Sequence, residues 1–517
     1  MNRKVFAGLF LIILLLALFL RLPKLDLRPM HHDEANQAVK FGNLLEKGEY
    51  RYDRFDHHGP SLYYVTLPFA WTFSGKNFSE LTEITLRLVP ALFGAGMIFF
   101  LLLLRSRLSL KAILFSALLL SVSPIMVFFS RFYIQEMLLA FFTVGFLASL
   151  WQSLRTQRPG WFITAGLCAG FMFATKETSI IIFGSFLGSL LFLKIFFHSE
   201  SQTKKFLKPL LSYNILYFLG AAFLIWLLFY SSFFHHMNGL WDSLRSLGIY
   251  FKRAGGGKAH THPWYYYLKM LCFSQYGSGP VWSEALVVVS ALLGGVYSFT
   301  KKARMREDSA FIRFVFFYTL ISTLIFSLIP YKTPWNIIPF YLGMLVLAGF
   351  GISFVLDSCS RIWFKSMVLV LILLGTFHLG LQSWRASFKY YADPRNPYVY
   401  AHTSTDFLNL VHRIKDIAAV HPEHKHMLIK VIADPHKMWP LPWYLRGFEK
   451  VGYWRETEKA GEIKGTPVLI SSVDQTQKLS PLIQDQYQSE FYGLRHEVLL
   501  SIHIRLDLWN QFLENRR

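Results

Sequence analysis

Charged residues are scarce in this chain of 517 residues: they make up 16% of it, against about 25% in a typical soluble domain. Hydrophobic residues reach 53% and aromatic residues 17%, and the hydrophobic residues fall in long runs. A disordered segment, a fibre or an ordinary cytosolic enzyme does not have this composition. Apolar runs of this length predict helices that cross a membrane.

Cysteine is scarcer still. The three cysteines, Cys168, Cys272 and Cys359, lie far apart in the sequence and show no metal-ligand spacing such as CxxC. We therefore expect free thiols and no disulfide framework.

Eleven apolar runs are candidate membrane spans. The first, residues 5–20, follows two basic residues and ends without a small-x-small cleavage site, so we expect a retained helix rather than a signal peptide. The other runs lie near residues 84–104, 112–129, 132–151, 161–175, 178–197, 209–230, 281–300, 311–330, 335–356 and 363–383.

Acidic residues are few, 32 against 53 basic ones, which gives a formal net charge of +21. With a cytoplasmic N-terminus, every short inside loop is basic, as the positive-inside rule expects. Topology thus accounts for much of the charge, and nucleic acid is not needed as a partner. We expect a multi-pass protein of the plasma (inner) membrane, with its C-terminus periplasmic or extracellular. The basic loop residues are Arg105, Arg107, Lys111, Arg155, Arg158, Lys204, Lys205, Lys208, Lys301, Lys302, Arg304, Arg306, Arg361 and Lys365.

The distribution of the apolar runs along the chain predicts two domains. Residues 1–385 form the membrane domain, with large outer loops at 22–83 and 231–280. Residues 386–517 are polar enough for a soluble extracytoplasmic α/β domain. In that domain, residues 427–433, 467–473 and 498–506 have the composition of strands, and 405–419 has the periodicity of an amphipathic helix.

Under this topology, unusual polar residues gather on the outer side. Ionisable groups at membrane depth are costly and usually functional. Singly, Arg131, Lys176 and Lys332 could be interfacial residues whose charged ends reach the headgroups. Together they could bind a lipid phosphate or diphosphate, because cations stabilise charge on a leaving phosphate.

The acidic residues and histidines of the outer side also allow either a structural or a functional interpretation. Glu136 could be the ion-pair partner of Arg131, and Asp33 and Glu34 could be acids favoured at a helix start. His260 and His262 point the same way in an extended segment, and with Glu34 they could bind a metal such as zinc. The alternative is a polar, hydrogen-bonding loop, because no HExxH or similar pattern is present. No cofactor is certain.

Several short sequence motifs, in their order along the chain, resemble those of the GT-C membrane glycosyltransferases. Within that fold, the chain is similar to protein O-mannosyltransferases and the lipid A aminoarabinose transferase, and most similar to a flippase-activity-associated family linked to archaeal N-glycosylation. The resemblance implies a mainly α-helical polytopic protein with about 11 transmembrane helices and a small C-terminal α/β domain. The motifs are His31-His32-Asp33-Glu34, His57-His58-Gly59-Pro60, Ser130 to Glu136, Ala174 to Thr178, His262 to Tyr267, Tyr331 to Trp335 and Trp439 to Arg446.

The resemblance implies transfer of a sugar from a polyprenyl-phosphate donor on the non-cytoplasmic face, that is, a hexosyl- or pentosyltransferase. The acceptor would be a glycan, a lipid or a protein. Asp33 stands where the family's catalytic acid is expected, and Glu136 where many relatives carry Asp. Some relatives have a lysine where this chain has His57 and His58.

The residues permit a direct displacement at the anomeric carbon. Asp33 would take the acceptor proton as general base, with Glu34 and Glu136 as further candidates. A single base without a covalent step implies inversion, by analogy with inverting hydrolases. The remaining candidates are Arg131, Lys176, Lys332, His57 and His58 for the donor phosphate, and Glu177, His260, His262 and Tyr331 for substrate binding.

The main rival is a flippase or transporter for lipid-linked sugars, which would also place charges within the membrane. Transporters usually show broken helices near mid-bilayer and internal repeats. Here the charges fall at the outer ends of spans and the sequence shows no repeat. A non-catalytic glycan-binding protein is the third interpretation.

Overall fold

The structure is a computed structural model of the chain, and it describes residues 2–56, 58–197, 199–200, 203–204, 212–255, 260–300 and 309–515. The chain divides into two compact units. The first comprises Met1–Leu25, Glu49–Phe69 and Ile84–Tyr398, and the second comprises Asp26–Gly48, Ala70–Glu83 and Val399–Arg517. The second unit thus includes two segments of the predicted outer loop 22–83. His57, Lys205, Lys208, Lys301, Lys302, Arg304 and Arg306 lie outside the described residues.

Helices dominate the described chain. In order they are α1 (Arg3–Arg21), α2 (His32–Lys47), α3 (Ser61–Phe73), α4 (Glu83–Leu102), α5 (Leu110–Val122), α6 (Pro124–Ser130), α7 (Glu136–Thr156), α8 (Pro159–Thr175), α9 (Ser179–Phe197), α10 (Ile215–Tyr230), α11 (Asn238–Ala254), α12 (Tyr266–Cys272), α13 (Ala285–Tyr297), α14 (Ser309–Leu328), α15 (Ile338–Ser358), α16 (Ile362–Trp384), α17 (Asp406–Val420), α18 (Pro435–Met438), α19 (Leu441–Tyr444), α20 (Val473–Ile483) and α21 (Leu506–Glu514).

The apolar helices confirm a multi-pass membrane protein. Within the described ranges, seven are long and apolar enough to cross a membrane, or eight if the bent pair α5 and α6 is one span. Three shorter apolar helices, α8, α10 and α13, have 17, 16 and 13 residues. Each of the eleven predicted runs therefore corresponds to an apolar helix or to the bent pair. All three cysteines are free thiols, as expected.

The third predicted run is broken rather than continuous: α5 and α6 meet at an angle of 57°. Pro124 begins α6, and a proline disfavours helical backbone at the residue before it, here the extended Ser123. The break leaves carbonyls at the end of α5 and amides at the start of α6 without helical partners.

Two buried charged side chains satisfy the polar groups at this break. The Arg21 guanidinium donates to the carbonyls of Leu120 and Ser121, each at 2.9 Å. Glu284 Oε1 accepts from the Ile125 amide at 3.1 Å and from the Ser123 hydroxyl at 2.9 Å. Arg21 thus lies at a helix C-terminus, where its positive charge complements the helix dipole. Glu284 lies at the N-terminus of the next helix and accepts from its first free amide.

A mixed five-stranded sheet forms the centre of the second unit. Its strands are β1 (Ile429–Ile432), β2 (Val451–Trp454), β3 (Val468–Ser472), β4 (Tyr487–Arg495) and β5 (Val498–Arg505), in the order β2-β1-β3-β5-β4. β1 pairs in parallel with β2 and β3, whereas β5 pairs antiparallel with β3 and β4. The apolar face of α17 (Phe407, Leu410, Val411 and Ile414) packs in the core of this sheet.

The three predicted strands and the amphipathic helix of this unit are confirmed, within two residues at each end. β2 and β4 were not predicted. β2 has only four residues, and β4 is largely polar and half-exposed, so neither gives a clear strand pattern.

Glu284→Ala should destabilise the membrane unit by about 3 kcal/mol or more. The substitution would remove the acceptor of the Ile125 amide and also that of the Tyr341 hydroxyl, which donates to Oε2 at 2.6 Å. Each buried donor left without a partner costs about 1–3 kcal/mol. Thermal unfolding of the purified protein in detergent measures the change.

Asp357→Asn is the matched control, because the Lys111–Asp357 ion pair is exposed and such pairs contribute only about 0–1 kcal/mol. Equal losses in the two variants would contradict the role assigned to Glu284.

A second prediction concerns the pH dependence of the second unit. His503 is buried, its Nδ1 lies 2.7 Å from the Ser489 hydroxyl and its Nε2 3.0 Å from the Ser471 hydroxyl, and burial lowers its pKa to about 4. As the pH falls from about 6.5 to about 4, the unfolded chain takes up a proton that the folded chain does not. Stability should therefore be full above pH 6.5 and fall by about 3 kcal/mol towards pH 4.

His503→Gln should flatten this dependence when unfolding of the full-length protein is followed between pH 7 and pH 4.5. His496→Gln, at an exposed histidine, should leave it unchanged. A wild-type pH dependence in His503→Gln would show that another group is responsible.

Candidate functional site

The loop before α3 lies against the end of α8. The Gly59 amide donates to the Thr175 carbonyl at 3.2 Å, and the hydroxyls of Ser61 and Thr175 are 2.7 Å apart. A Cβ atom at position 59 would lie 2.2 Å from the Ala174 carbonyl oxygen, so only glycine permits this approach. The contact places His58 beside the residues that follow α8.

His58 and Glu177 form a hydrogen-bonded pair. The Nδ1 atom of His58 is 2.8 Å from Glu177 Oε2, and the Tyr52 hydroxyl donates to Oε1 at 3.1 Å. Glu177 is only 2% exposed. Burial alone would raise the pKa of this carboxyl, but the hydrogen bond and charge of His58 outweigh it, and the pKa lies below its usual range. The carboxylate is therefore ionised at neutral pH.

Lys176, the preceding residue, pairs with Glu136 at the start of α7. The Lys176 ammonium donates to Glu136 Oε1, and both side chains are buried. Glu136 Oε2 has no hydrogen-bond partner among the described residues. The pair lines a small cavity together with Thr178, Trp335 and Asn336. Glu136 is thus the ion-pair partner of Lys176, whereas the sequence suggested Arg131.

Two segments predicted to lie on the outer side, residues 260–262 and 331–332, pair through their backbones. Thr261 and Tyr331 form an antiparallel bridge, and the amide of Lys332 donates to the His260 carbonyl at 2.9 Å. The Lys332 ammonium donates to the His262 carbonyl at 3.1 Å and also to the Ile329 carbonyl. Burial lowers the pKa of Lys332, and burial together with His260 and Lys332 lowers the pKa of His262.

Arg131 has mainly carbonyl partners. Its guanidinium donates to the carbonyls of Arg21 and Lys24, each at 2.7 Å, and stacks on the Phe388 ring at 4.6 Å. These carbonyls belong to the end of α1 and the turn after it. A cation at a helix C-terminus is stabilising, so these contacts stabilise the buried arginine. Its role at the donor phosphate stays a prediction.

Asp33 and Glu34 belong to the second unit, at the start of α2. His31 caps this helix: its Nδ1 accepts from the Asp33 amide at 3.0 Å, and Glu34 Oε2 accepts from the His31 amide at 3.0 Å. This is a capping box with histidine in the place of Ser or Thr. Glu34 is fully buried and lies 3.5 Å from Arg28 Nη2, whereas the Asp33 side chain is 34% exposed.

The second unit also brings residues of its C-terminal part to Asp33. The His32 ring lies 6.3 Å from the His436 ring and 5.9 Å from Trp439. Arg495 donates to the His436 carbonyl. Burial lowers the pKa of Arg495, and the negative charge of Asp33 acts in the opposite direction. Asp33 therefore has a cation from the end of β4 in its surroundings.

The metal prediction remains a prediction. Among the residues that the structure describes, no group of three or more His, Cys, Asp or Glu side chains could hold a metal ion. His57, a candidate phosphate contact, is not among those residues.

Sequence reasoning missed the partners of the candidate residues. Tyr52 and Tyr250 contact the His58–Glu177 pair, and Arg495 accompanies Asp33. The chain has 25 tyrosines, so no single tyrosine is conspicuous. Glu284 was also missed, although it lies inside a predicted membrane span. A single acidic residue within a span indicates a functional or structural role.

Comparison with known proteins supports the fold. A family model described as dolichyl-phosphate-mannose-protein mannosyltransferase matches residues 66–231. The structure of ArnT from Cupriavidus metallidurans bound to undecaprenyl phosphate is 17% identical, with a TM-score of 0.59 over 97% of this chain and 98% of that chain. The oligosaccharyltransferase AglB from Archaeoglobus fulgidus, in complex with an inhibitory peptide and a dolichol-phosphate, is 12% identical, with a TM-score of 0.60 over 98% of this chain and 77% of that chain.

No curated protein matches the sequence. The structural likenesses show that the chain has the GT-C fold, similar to ArnT, with a small C-terminal α/β region, as the resemblance implied.

Proposed function

We propose that this chain is an integral membrane glycosyltransferase that moves a sugar from a polyprenyl-phosphate donor to an acceptor hydroxyl on the non-cytoplasmic face of the plasma membrane. The observation that carries the proposal is the GT-C fold, which extends over nearly the whole chain and is similar to a structure that holds undecaprenyl phosphate. The match to a dolichyl-phosphate-mannose-dependent family over residues 66–231 adds support. The basic inside loops support the orientation.

The reaction would be a single displacement. Asp33 takes the proton of the acceptor hydroxyl, the acceptor oxygen bonds to the anomeric carbon, and the bond from that carbon to the phosphate oxygen breaks. The electron pair leaves with the polyprenyl phosphate, and the anomeric configuration inverts. Asp33 suits this role better than Glu34, because Glu34 is buried in the capping box and Asp33 is partly exposed.

The leaving phosphate is an anion, so it needs cations more than a general acid. Lys176, Lys332 and His58 are the proposed contacts, with Glu136 as the counter-ion of Lys176. Arg131 is a further proposed contact, and its guanidinium also donates to the carbonyls at the end of α1. His260, His262, Tyr331 and Glu177 would line the substrate site, and the acceptor would be a glycan, a lipid or a protein.

One observation favours the rival function of a flippase. Transporters often carry a discontinuous helix whose free ends bind the substrate, and α5 and α6 form such a broken pair. Here, however, Arg21 and Glu284 already occupy the two ends of the break. Transport of a lipid-linked sugar in proteoliposomes without sugar transfer would favour the flippase.

The catalytic role of Asp33 predicts a loss of turnover without a loss of stability. Asp33→Asn keeps the side-chain shape and removes the proton acceptor, so turnover should fall by roughly 100-fold or more. Sugar transfer from a synthetic polyprenyl-phosphate donor is the assay, with donor binding and thermal stability measured on the same preparation.

Glu34→Gln is the matched control, and it should chiefly lower stability, because it weakens the capping box and the contact with Arg28. If Asp33→Asn retains near-normal turnover, Asp33 is not the base and Glu34 or Glu136 becomes the leading candidate.

Lys332 should contribute to donor binding. Charge-assisted hydrogen bonds are worth roughly 1.5–3 kcal/mol, so Lys332→Ala should weaken binding of undecaprenyl phosphate about ten- to a hundredfold. Lys269→Ala, at an exposed lysine of α12, should leave affinity unchanged. Unchanged affinity in a well-folded Lys332→Ala protein would remove this lysine from the phosphate site.

A further inference from the structure

Glu177 is hydrogen-bonded to His58 and can fix the orientation of its ring. Its two carboxylate oxygens each accept a hydrogen bond, Oε1 from the Tyr52 hydroxyl at 3.1 Å and Oε2 from His58 Nδ1 at 2.8 Å. A carboxylate accepts hydrogen bonds and cannot donate them, so Nδ1 of His58 must carry the hydrogen. The second ring nitrogen, Nε2, is then the one left for a ligand.

The ring of His58 is fixed by further contacts. The Tyr250 hydroxyl lies 3.1 Å from His58 Nδ1, and the two rings stack with centroids 5.7 Å apart. The backbone beside the histidine is held as well, because Gly59 lies against the end of α8. Glu177, Tyr250 and the Gly59 contact thus restrict both the rotation and the position of the imidazole.

Glu177 can hold the His58 ring in this orientation because the Glu177 side chain is itself held in place. It is nearly fully buried, and it immediately follows Lys176, whose ammonium is paired with Glu136. A hydrogen-bond partner behind a histidine commonly fixes which ring nitrogen meets the ligand and how the ring is oriented.

We propose that Glu177 is a positioning residue that orients His58 so that Nε2 meets the donor phosphate. The inference rests on the proposed function. In its imidazolium form, His58 donates Nδ1–H to Glu177 and Nε2–H to a phosphate oxygen, and the carboxylate compensates the charge of the ring. Glu177 then acts on the donor phosphate through His58.

A double-mutant cycle separates this role from a purely structural one. The variants are Glu177→Gln, His58→Ala and the combination, and the measured quantity is the Kd for undecaprenyl phosphate in detergent. Glu177→Gln should weaken binding about tenfold in the wild-type background, by analogy with the partners that orient metal-binding histidines. In the His58→Ala background the same substitution should change binding less than twofold, because the residue through which it acts is gone.

Tyr52→Phe is the matched control. It removes the other hydrogen bond of Glu177 without touching His58, and it should weaken binding less than threefold. If Glu177→Gln does not fold, Glu177→Asp takes its place in the cycle, since it keeps the charge and shortens the reach to Nδ1.

The outcomes are distinguishable. Equal, additive losses from Glu177→Gln in both backgrounds would overturn this inference alone, because Glu177 would then act independently of His58. Failure of the wild-type protein to bind the lipid would overturn the proposed function and this inference with it.

Discussion

A backbone polar group inside an apolar helix bundle needs a partner, and the break between α5 and α6 frees several such groups. Arg21 satisfies the carbonyls on one side of the break and Glu284 an amide on the other. The break also sets where the chain goes next: α6 ends at Ser130, and α7 begins at Glu136. Arg21 and Glu284 thus stabilise the break that precedes the segment leading to Glu136.

The candidate site of the first unit is a set of fixed pairs rather than a set of free charges. Lys176 and Glu177 are adjacent in the chain and pair with Glu136 and His58 respectively. Breaking a buried ion pair by removing one partner leaves an uncompensated charge, so the Lys176–Glu136 pair holds its members in place. Such rigidity suits a site that must stabilise the charge of a leaving phosphate, because the charges need no reorganisation during the reaction.

The membrane fold was predictable because apolar runs and basic loops are strong signals, whereas side-chain partners were not. The pairing of the His260–His262 segment with Tyr331 and Lys332 joins residues about seventy positions apart, which no local pattern indicates. The break before Pro124 was missed although Ser-Pro within a span is a visible signal. The carbonyls at the end of α1 that accept from Arg131 were also not predictable, because the sequence shows the charge of a side chain but not its partners.

The most direct test of the account is a structure of the protein in a lipid nanodisc with undecaprenyl phosphate bound. The account predicts the phosphate oxygens at hydrogen-bond distance, about 3 Å, from the ammonium of Lys176 or Lys332 or from Nε2 of His58. A well-defined phosphate that lies away from all three groups would contradict the account.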